Sequence, residues 1–289
     1  MADLLDRPIE VMPTGAALGA DIRGVDLSQP LDDATFAAVH RAWLDHLVLR
    51  FRGQKLTLDQ LEAFSRRFGP LDKAPITAKG GPHLPDHPYV AVMSNIVKDG
   101  IPIGSLGHGE AIWHTDMSYN EATPTASLLY AVEVPDVGGN TNFANMYAAC
   151  EDLPADLRRR CEGLMCKHDA STNSAGERRA GYEGIADPRA VPGAVHPVLR
   201  THPETGRKAL FLGRRRNAYL VGLPLDESEA LLDALWAHCT QPHYVWSQSW
   251  RVGDLVMWDN RCVIHHRDAF DPNSRRLLYR TQVQGDRPC

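Results

Sequence analysis

A chain of 289 residues can hold one large domain or two small ones, and its 43% apolar and 23% charged residues are ordinary for a globular protein. A formal charge of -5 argues against nucleic-acid binding, because phosphate recognition needs clustered excess positive charge. No stretch approaches the roughly 20 apolar residues of a membrane helix, and Met1 to Glu10 carries Asp3, Asp6 and Glu10 without an apolar leader core. A cytoplasmic protein that binds neither nucleic acid nor membrane is therefore expected. The six cysteines, at positions 150, 161, 166, 239, 262 and 289, form no C-x-x-C pair and are expected to stay reduced.

In chain order, Ala16 to Val25 reads as a short strand and turn. Asp33 to Leu47 places Phe36, Val39, Trp43 and Leu47 on one helical face, and Leu47 to Phe51 reads as a buried strand. Thr57 and Gln60 make a capping box that opens a helix burying Leu61, Phe64 and Phe68 and ending at Gly69-Pro70. Asp72 to Gly109 is rich in Gly, Pro, His and Asp, broken by a strand-like run from Tyr89 to Met93. Its composition suggests a lid over a site. Ser127 to Val134 is β-like, Pro135 to Gly139 a turn, and Met146 to Leu157 is expected to be helical. His168 to Val195 is a second candidate loop. Asp226 and Glu229 suggest a capping box for a helix carrying Leu231, Leu232, Leu235 and Trp236. Three β-like runs follow: Val245 to Trp250, Leu255 to Trp258 and Leu277 to Val283. The runs Arg158 to Arg160 and Arg214 to Arg216 read as solvated surface. The sum is one mostly β domain with peripheral helices and long loops.

Thirteen histidines are present, and a lone histidine is more often a surface or satisfied core residue than a ligand. Trp113-His114-Thr115-Asp116 differs from the rest. Residues two apart on an extended chain project from the same side, so this imidazole and carboxylate can grip one metal. Cys262-Val263-Ile264-His265 is an apolar run that brings a second imidazole to a strand end. Two histidines and a carboxylate with open positions opposite suit non-haem iron(II), although three-ligand zinc sites keep a hydrolase open on ligand types alone. Arg276 and Arg280 are four apart and share a strand face. Arginine binds carboxylates in a bidentate fork, so one of the two could anchor the distal carboxylate of 2-oxoglutarate.

The ordered set of Trp113-His114-Thr115-Asp116, Val134-Pro135 with Gly138-Gly139-Asn140-Thr141, His196-Pro197-Val198 with Thr201-His202-Pro203-Glu204-Thr205-Gly206, and Trp258-Asp259-Asn260-Arg261 with His265 resembles the taurine dioxygenase family, which includes the phenoxyacetate-type herbicide dioxygenases. The resemblance runs from Thr14-Gly15-Ala16 to Gly285-Asp286-Arg287-Pro288. It implies a double-stranded β-helix (jelly roll) formed by a single domain over 1–289. It also implies an iron(II)- and 2-oxoglutarate-dependent dioxygenase that consumes O2 and releases succinate and carbon dioxide. By the same resemblance the metal ligands fall on His114, Asp116 and His265. The 2-oxoglutarate contacts fall on Arg276 and Thr141, and an anionic prime substrate falls on Arg280. Asn95 and Met117 are further candidate substrate contacts, and a homo-oligomer is expected. His266 is expected to point away from His265. The taurine branch carries a first-loop histidine with no secure counterpart here, although His83 and His87 lie in that region. Gly213 to Asn217 and Cys262 are closer to the aryloxyalkanoate branch. A zinc hydrolase or a non-catalytic 2-oxoglutarate sensor are the alternatives; halogenation is disfavoured by Asp116.

Overall fold

The computed structural model describes residues 9–75, 81–109, 111–179, 181–185, 187–213 and 217–289. The Arg214 to Arg216 run and most of the acidic N-terminal segment lie outside these residues. The chain is mostly β with few helices. Strands β1 (Glu10–Pro13), β2 (Ala20–Arg23), β3 (Val48–Phe51), β4 (Ala91–Ser94), β5 (Ser105–Leu106), β6 (Ala111–His114), β7 (Ala126–Glu133), β8 (Thr141–Asn145), β9 (Val245–Gln248), β10 (Leu255–Asp259), β11 (Val263–Arg267) and β12 (Leu277–Val283) build two principal sheets. The larger has the order β1-β2-β3-β10-β7-β12-β4-β5, and the smaller the order β9-β8-β11-β6.

The central strands β7 and β10 of the large sheet are buried on both faces, which explains why they are mostly apolar instead of alternating. Side-chain alternation divides β7 and β10 between two cores. Leu128, Tyr130, Leu255 and Met257 pack outward with Trp43 of helix α1 (Asp33–His46) and with Leu61 and Phe64 of α2 (Leu58–Arg66). Leu129, Ala131, Val256 and Trp258 face inward and share a cluster with Phe143 of β8 and Ile264 of β11. The two sheets therefore clasp one inner core, and the functional pocket opens within it. Both bonds of the Thr57–Gln60 capping box form at the start of α2.

Two helical expectations are corrected. The expected helix from Met146 to Leu157 is two helices, α3 (Met146–Glu151) and α4 (Ala155–Cys161). Pro154 has no N–H to continue the first and pushes its predecessor towards extended backbone, so the chain breaks there. Helix α5 (Leu225–Cys239) starts on Pro224 with no side-chain cap. Asp226 already lies inside its first turn, where a negative charge is favourable beside the free N–H groups.

The Thr201 to Gly206 and Trp258 to Arg261 motifs are explained as a buried latch. His202 accepts the backbone N–H groups of Glu204 and Thr205 on Nδ1, at 3.2 Å each, so Nε2 carries the proton and donates to Asp259 Oδ2 at 3.0 Å. Arg261 donates to both oxygens of Asp259, through Nε at 2.8 Å and Nη2 at 2.7 Å, and to Glu204 through Nη1. Burial alone would raise the Asp259 carboxyl, but Arg261 and His202 outweigh it and hold the group far below the usual range. With the folded-state value depressed, this contribution is complete above the unfolded value near pH ~4 and is lost as pH falls through the folded one. Arg261→Ala, which leaves Asp259 charged and buried, is expected to cost about 3–5 kcal/mol in urea unfolding at pH 7. A loss below about 1 kcal/mol would show that the latch is not stabilising.

Candidate active site

The site grows from the pairing of β6 with β11. His114, the last residue of β6, lies opposite His265 in register, with ring centroids 4.1 Å apart. Asp116 follows two residues later in a turn whose next residue, Met117, is left-handed at φ 47°. That conformation costs a non-glycine residue roughly 1–2 kcal/mol, and the surroundings hold it. Met117 C=O accepts from Asn120 N–H at 3.0 Å, while His196 Nε2 donates to Asn120 C=O at 2.9 Å and Ala194 N–H to Tyr119 C=O. The His196-Pro197-Val198 motif thus braces the turn that presents Asp116.

Asp116 Oδ1 lies 3.6 Å from His114 Nε2 and 3.9 Å from His265 Nε2, and the three side chains are buried with their candidate ligand atoms within 4.8 Å of one another. His114 Nδ1 sits 2.7 Å from the Ile112 carbonyl, a partner that would hold the ring proton there when Nε2 is offered to a metal. Burial pushes the Asp116 carboxyl up, yet Arg280, His265 and His114 together hold it well below the ordinary carboxylate range. Arg280 donates from Nη1 to Asp116 Oδ1 at 3.1 Å, and Ser127 Oγ lies 2.8 Å from Oδ2. Strand alternation turns His266 away from this centre. It stacks on Trp113 at 5.2 Å and meets Asn142 Nδ2 at 3.0 Å.

His114, His265, Trp258, Thr141, Arg276 and Arg280 line one pocket between the sheets. Arg276 is only 3% exposed, and its Nε has no hydrogen-bond partner. Among the described residues no carboxylate pairs with it. Burial, with the neighbouring Arg267 adding to it, pulls the guanidinium down to about 9, so it remains charged at neutral pH. A buried cation without a counter-ion is costly, and an anion entering the pocket relieves that cost. Thr141 Oγ accepts from Trp250 Nε1 at 3.0 Å. Indole only donates, so the threonine proton is left for an acceptor in the pocket. The turn before Thr141 requires glycine. Gly138 and Gly139 have φ of 81° and 65°, and a Cβ on Gly138 would meet Ala269 O at 2.8 Å.

The model of the family described as "Taurine catabolism dioxygenase TauD, TfdA family" matches residues 10–282. The chain belongs to this family. It is 36% identical over 282 residues to the α-ketoglutarate-dependent 2,4-dichlorophenoxyacetate dioxygenase of Cupriavidus pinatubonensis, covering 95% of this chain and 97% of that protein. Identity to the (S)-phenoxypropionate/α-ketoglutarate-dioxygenase of Sphingobium herbicidovorans is 34% over 294 residues, with coverage of 96% and 95%. The solved structure of a taurine dioxygenase from Burkholderia xenovorans matches with a TM-score of 0.79 at 34% identity, over 98% of this chain and 91% of that one. As a TauD, TfdA family member the chain is an α-ketoglutarate (2-oxoglutarate)-dependent dioxygenase working with iron(II) and O2. Neither the zinc hydrolase nor the sensor is favoured.

The donor set suits that metal: two imidazoles and one carboxylate on one side, with space in the pocket opposite. A second cluster of His202, Asp259 and Cys262 has similar spacing. Its histidine and carboxylate are already saturated by the latch, so it offers a metal little. Two expected substrate contacts lie elsewhere than the pocket lining. The Asn95 amide accepts Arg276 N–H at 2.9 Å and donates to Ser274 C=O at 2.7 Å, which holds the segment that carries Arg276. Met117 is half-buried in the turn after Asp116. Of the two expected lid segments the second lines the pocket through Ser174, whereas Met93, which also lines it, belongs to strand β4 and not to the irregular part of the first.

Residues that sequence reasoning missed are Ser127, Asn260, Arg267 and Trp250. Only Asn260 carried a signal, as part of the Trp258-Asp259-Asn260-Arg261 motif. Replacing Asp116 with alanine removes the one anionic donor. Asp116→Ala is expected to weaken Co(II) or Fe(II) binding by roughly 100-fold or more, since even outer partners of a ligand are worth 10–100-fold, and to end succinate formation. Unchanged metal affinity would remove Asp116 from the site.

Proposed function

We propose that His114, Asp116 and His265 hold iron(II), that Arg276 and Thr141 hold the distal carboxylate of 2-oxoglutarate, and that the prime substrate is a small organic anion met by Arg280. The observation that carries this reading is the buried Arg276, which no carboxylate pairs with among the described residues, beside the histidine–carboxylate cluster. Iron(II) with 2-oxoglutarate supplies the oxidising power for hydroxylating a C–H bond, with release of succinate and carbon dioxide.

The residues of the chain bind, orient and exclude water. Arg276 offers a two-pronged fork that suits a carboxylate, and the Thr141 proton adds a third donor. Arg280 spends one N–H on Asp116 and has an Nε without a partner, which leaves donors for a second anion. An anion held there lies within one guanidinium's breadth of Asp116, so the rest of the substrate is confined close to the metal. Such positioning is the main contribution a protein makes to this kind of chemistry. The similar proteins whose names mention 2,4-dichlorophenoxyacetate and phenoxypropionate act on carboxylates, which supports an aryloxyalkanoate- or sulfonate-like substrate here. Hydroxylation next to an ether oxygen or a sulfur gives a product that breaks down by itself, so ether or C–S cleavage is a natural outcome.

The two-sheet arrangement suits a double-stranded β-helix formed by a single domain over 1–289, and a homo-oligomer is part of the proposal. No described helix is long and apolar enough to cross a membrane, and no disulfide joins any of the six cysteines. Both observations accord with a cytoplasmic enzyme.

The two arginines separate experimentally. Arg276→Ala removes the partner of a buried carboxylate, worth roughly 3–5 kcal/mol. Apparent 2-oxoglutarate affinity is expected to fall about a hundredfold or more with any prime substrate. Arg280→Ala is expected to spare 2-oxoglutarate binding and to weaken anionic prime substrates selectively. Equal loss of 2-oxoglutarate affinity in both variants, with the prime substrate unaffected, would contradict the assignment and favour a neutral substrate.

A further inference from the structure

Ser127 sits in the middle of the large sheet, on β7 between β10 and β12, and is fully buried. Its neighbours dictate where its proton goes. Trp258 Nε1, which can only donate, lies 2.9 Å from Asn260 Oδ1. This fixes the Asn260 amide with its oxygen towards Trp258 and its nitrogen towards Ser127. Asn260 Nδ2 then donates to Ser127 Oγ at 2.8 Å, and Gln282 Nε2 donates to the same oxygen at 3.3 Å. Both lone pairs of the hydroxyl are engaged. Its single proton must point at the remaining neighbour, Asp116 Oδ2, at 2.8 Å.

We infer that Ser127 is a positioning residue that makes Asp116 a one-oxygen ligand, oriented by a donor chain running from Trp258 through Asn260. Oδ2 is committed to Ser127, so only Oδ1 faces His114 and His265. A carboxylate free to rotate could chelate the metal with both oxygens and occupy a position that the co-substrate needs. The network prevents this. On the Oδ2 side the restraint adds no charge, since Ser127, Asn260, Gln282 and Trp258 are all neutral; the charged partner, Arg280, engages the other oxygen, Oδ1. The network also ties the ligand to the pocket wall, because the Trp258 ring that starts the chain packs 4.8 Å from the His265 ring. Removing an outer hydrogen bond of this kind from a metal ligand commonly costs 10–100-fold in metal affinity.

This inference rests on the proposed role of Asp116 as a metal ligand, and the experiment keeps the two apart. Co(II) is titrated into the protein without co-substrate, and both the dissociation constant and the visible absorption spectrum are recorded. Ser127→Ala is expected to bind about tenfold or more weakly with an altered Co(II) spectrum, and Ser127→Thr, which restores a hydroxyl, to recover both. Trp258→Phe keeps Ser127 but removes the donor that orients Asn260. It is expected to shift the spectrum in the same sense, and it decides the matter if Ser127→Ala does not fold. Wild-type affinity and spectrum in Ser127→Ala, or in Trp258→Phe where only that variant folds, would overturn the role of Ser127 while leaving Asp116 a ligand. Wild-type affinity in Asp116→Ala would overturn the ligand assignment, and this inference with it.

Discussion

An ionised carboxylate held inside an apolar core needs partners on every side, and Asp116 imposes that constraint on much of this molecule. Burial disfavours its charge, and Arg280, His265 and His114 restore it. Each of these groups comes from a different strand, so the charge can be kept only if the strands meet in the observed register. β6 and β11 must align His114 with His265, and β12 must bring Arg280 across from the other sheet. The turn bearing Asp116 is held in a left-handed conformation at Met117, and the His196 motif braces it. Family motifs scattered along the sequence thereby serve one point in space.

The second concentration of charge is Arg276. Asp116 is over-supplied with partners, whereas Arg276 has no carboxylate partner among the described residues. Arg276 shares its pocket with His114 and His265, the imidazole neighbours of Asp116, so a candidate metal cluster lies at one end and a cation suited to an anion at the other. A dicarboxylate whose keto-acid end reaches a metal matches that polarity. The latch of His202, Asp259 and Arg261 is a useful contrast. It contains similar residue types at similar distances, but its imidazole nitrogens and both carboxylate oxygens of Asp259 are matched within the latch. Satisfaction, rather than residue type, separates the structural cluster from the candidate site.

Much of this was legible in the sequence. The shared face of Arg276 and Arg280 and the outward turn of His266 follow from period-two alternation, whereas the grouping of His114, Asp116 and His265 came from their residue types and the family resemblance. The Thr57–Gln60 cap was equally plain, because both of its bonds are local. Other features depended on contacts between distant segments. Ser127 looks like any small polar residue in a β run until Asn260, Gln282 and Asp116 are brought around it. Arg267 gave no sign of lining the pocket. Asn95 was expected at the substrate, and its amide also accepts the backbone N–H of Arg276, 181 residues away in the chain, a contact no local pattern announces. The helix from Met146 was overextended for a local reason, since Pro154 could have been read as a break.

The most direct test of the account is succinate release by the iron(II)-loaded protein, supplied with 2-oxoglutarate and O2 and challenged with matched pairs of small molecules. Each pair would contain an aryloxyalkanoate or sulfonate and its neutral ester or amide. Succinate formation is expected to be stimulated by at least one anion and not by its neutral counterpart, with the stimulation lost in Arg280→Ala. Stimulation by the neutral members alone would contradict the substrate reading, and no succinate under any condition would contradict the assignment of the site itself.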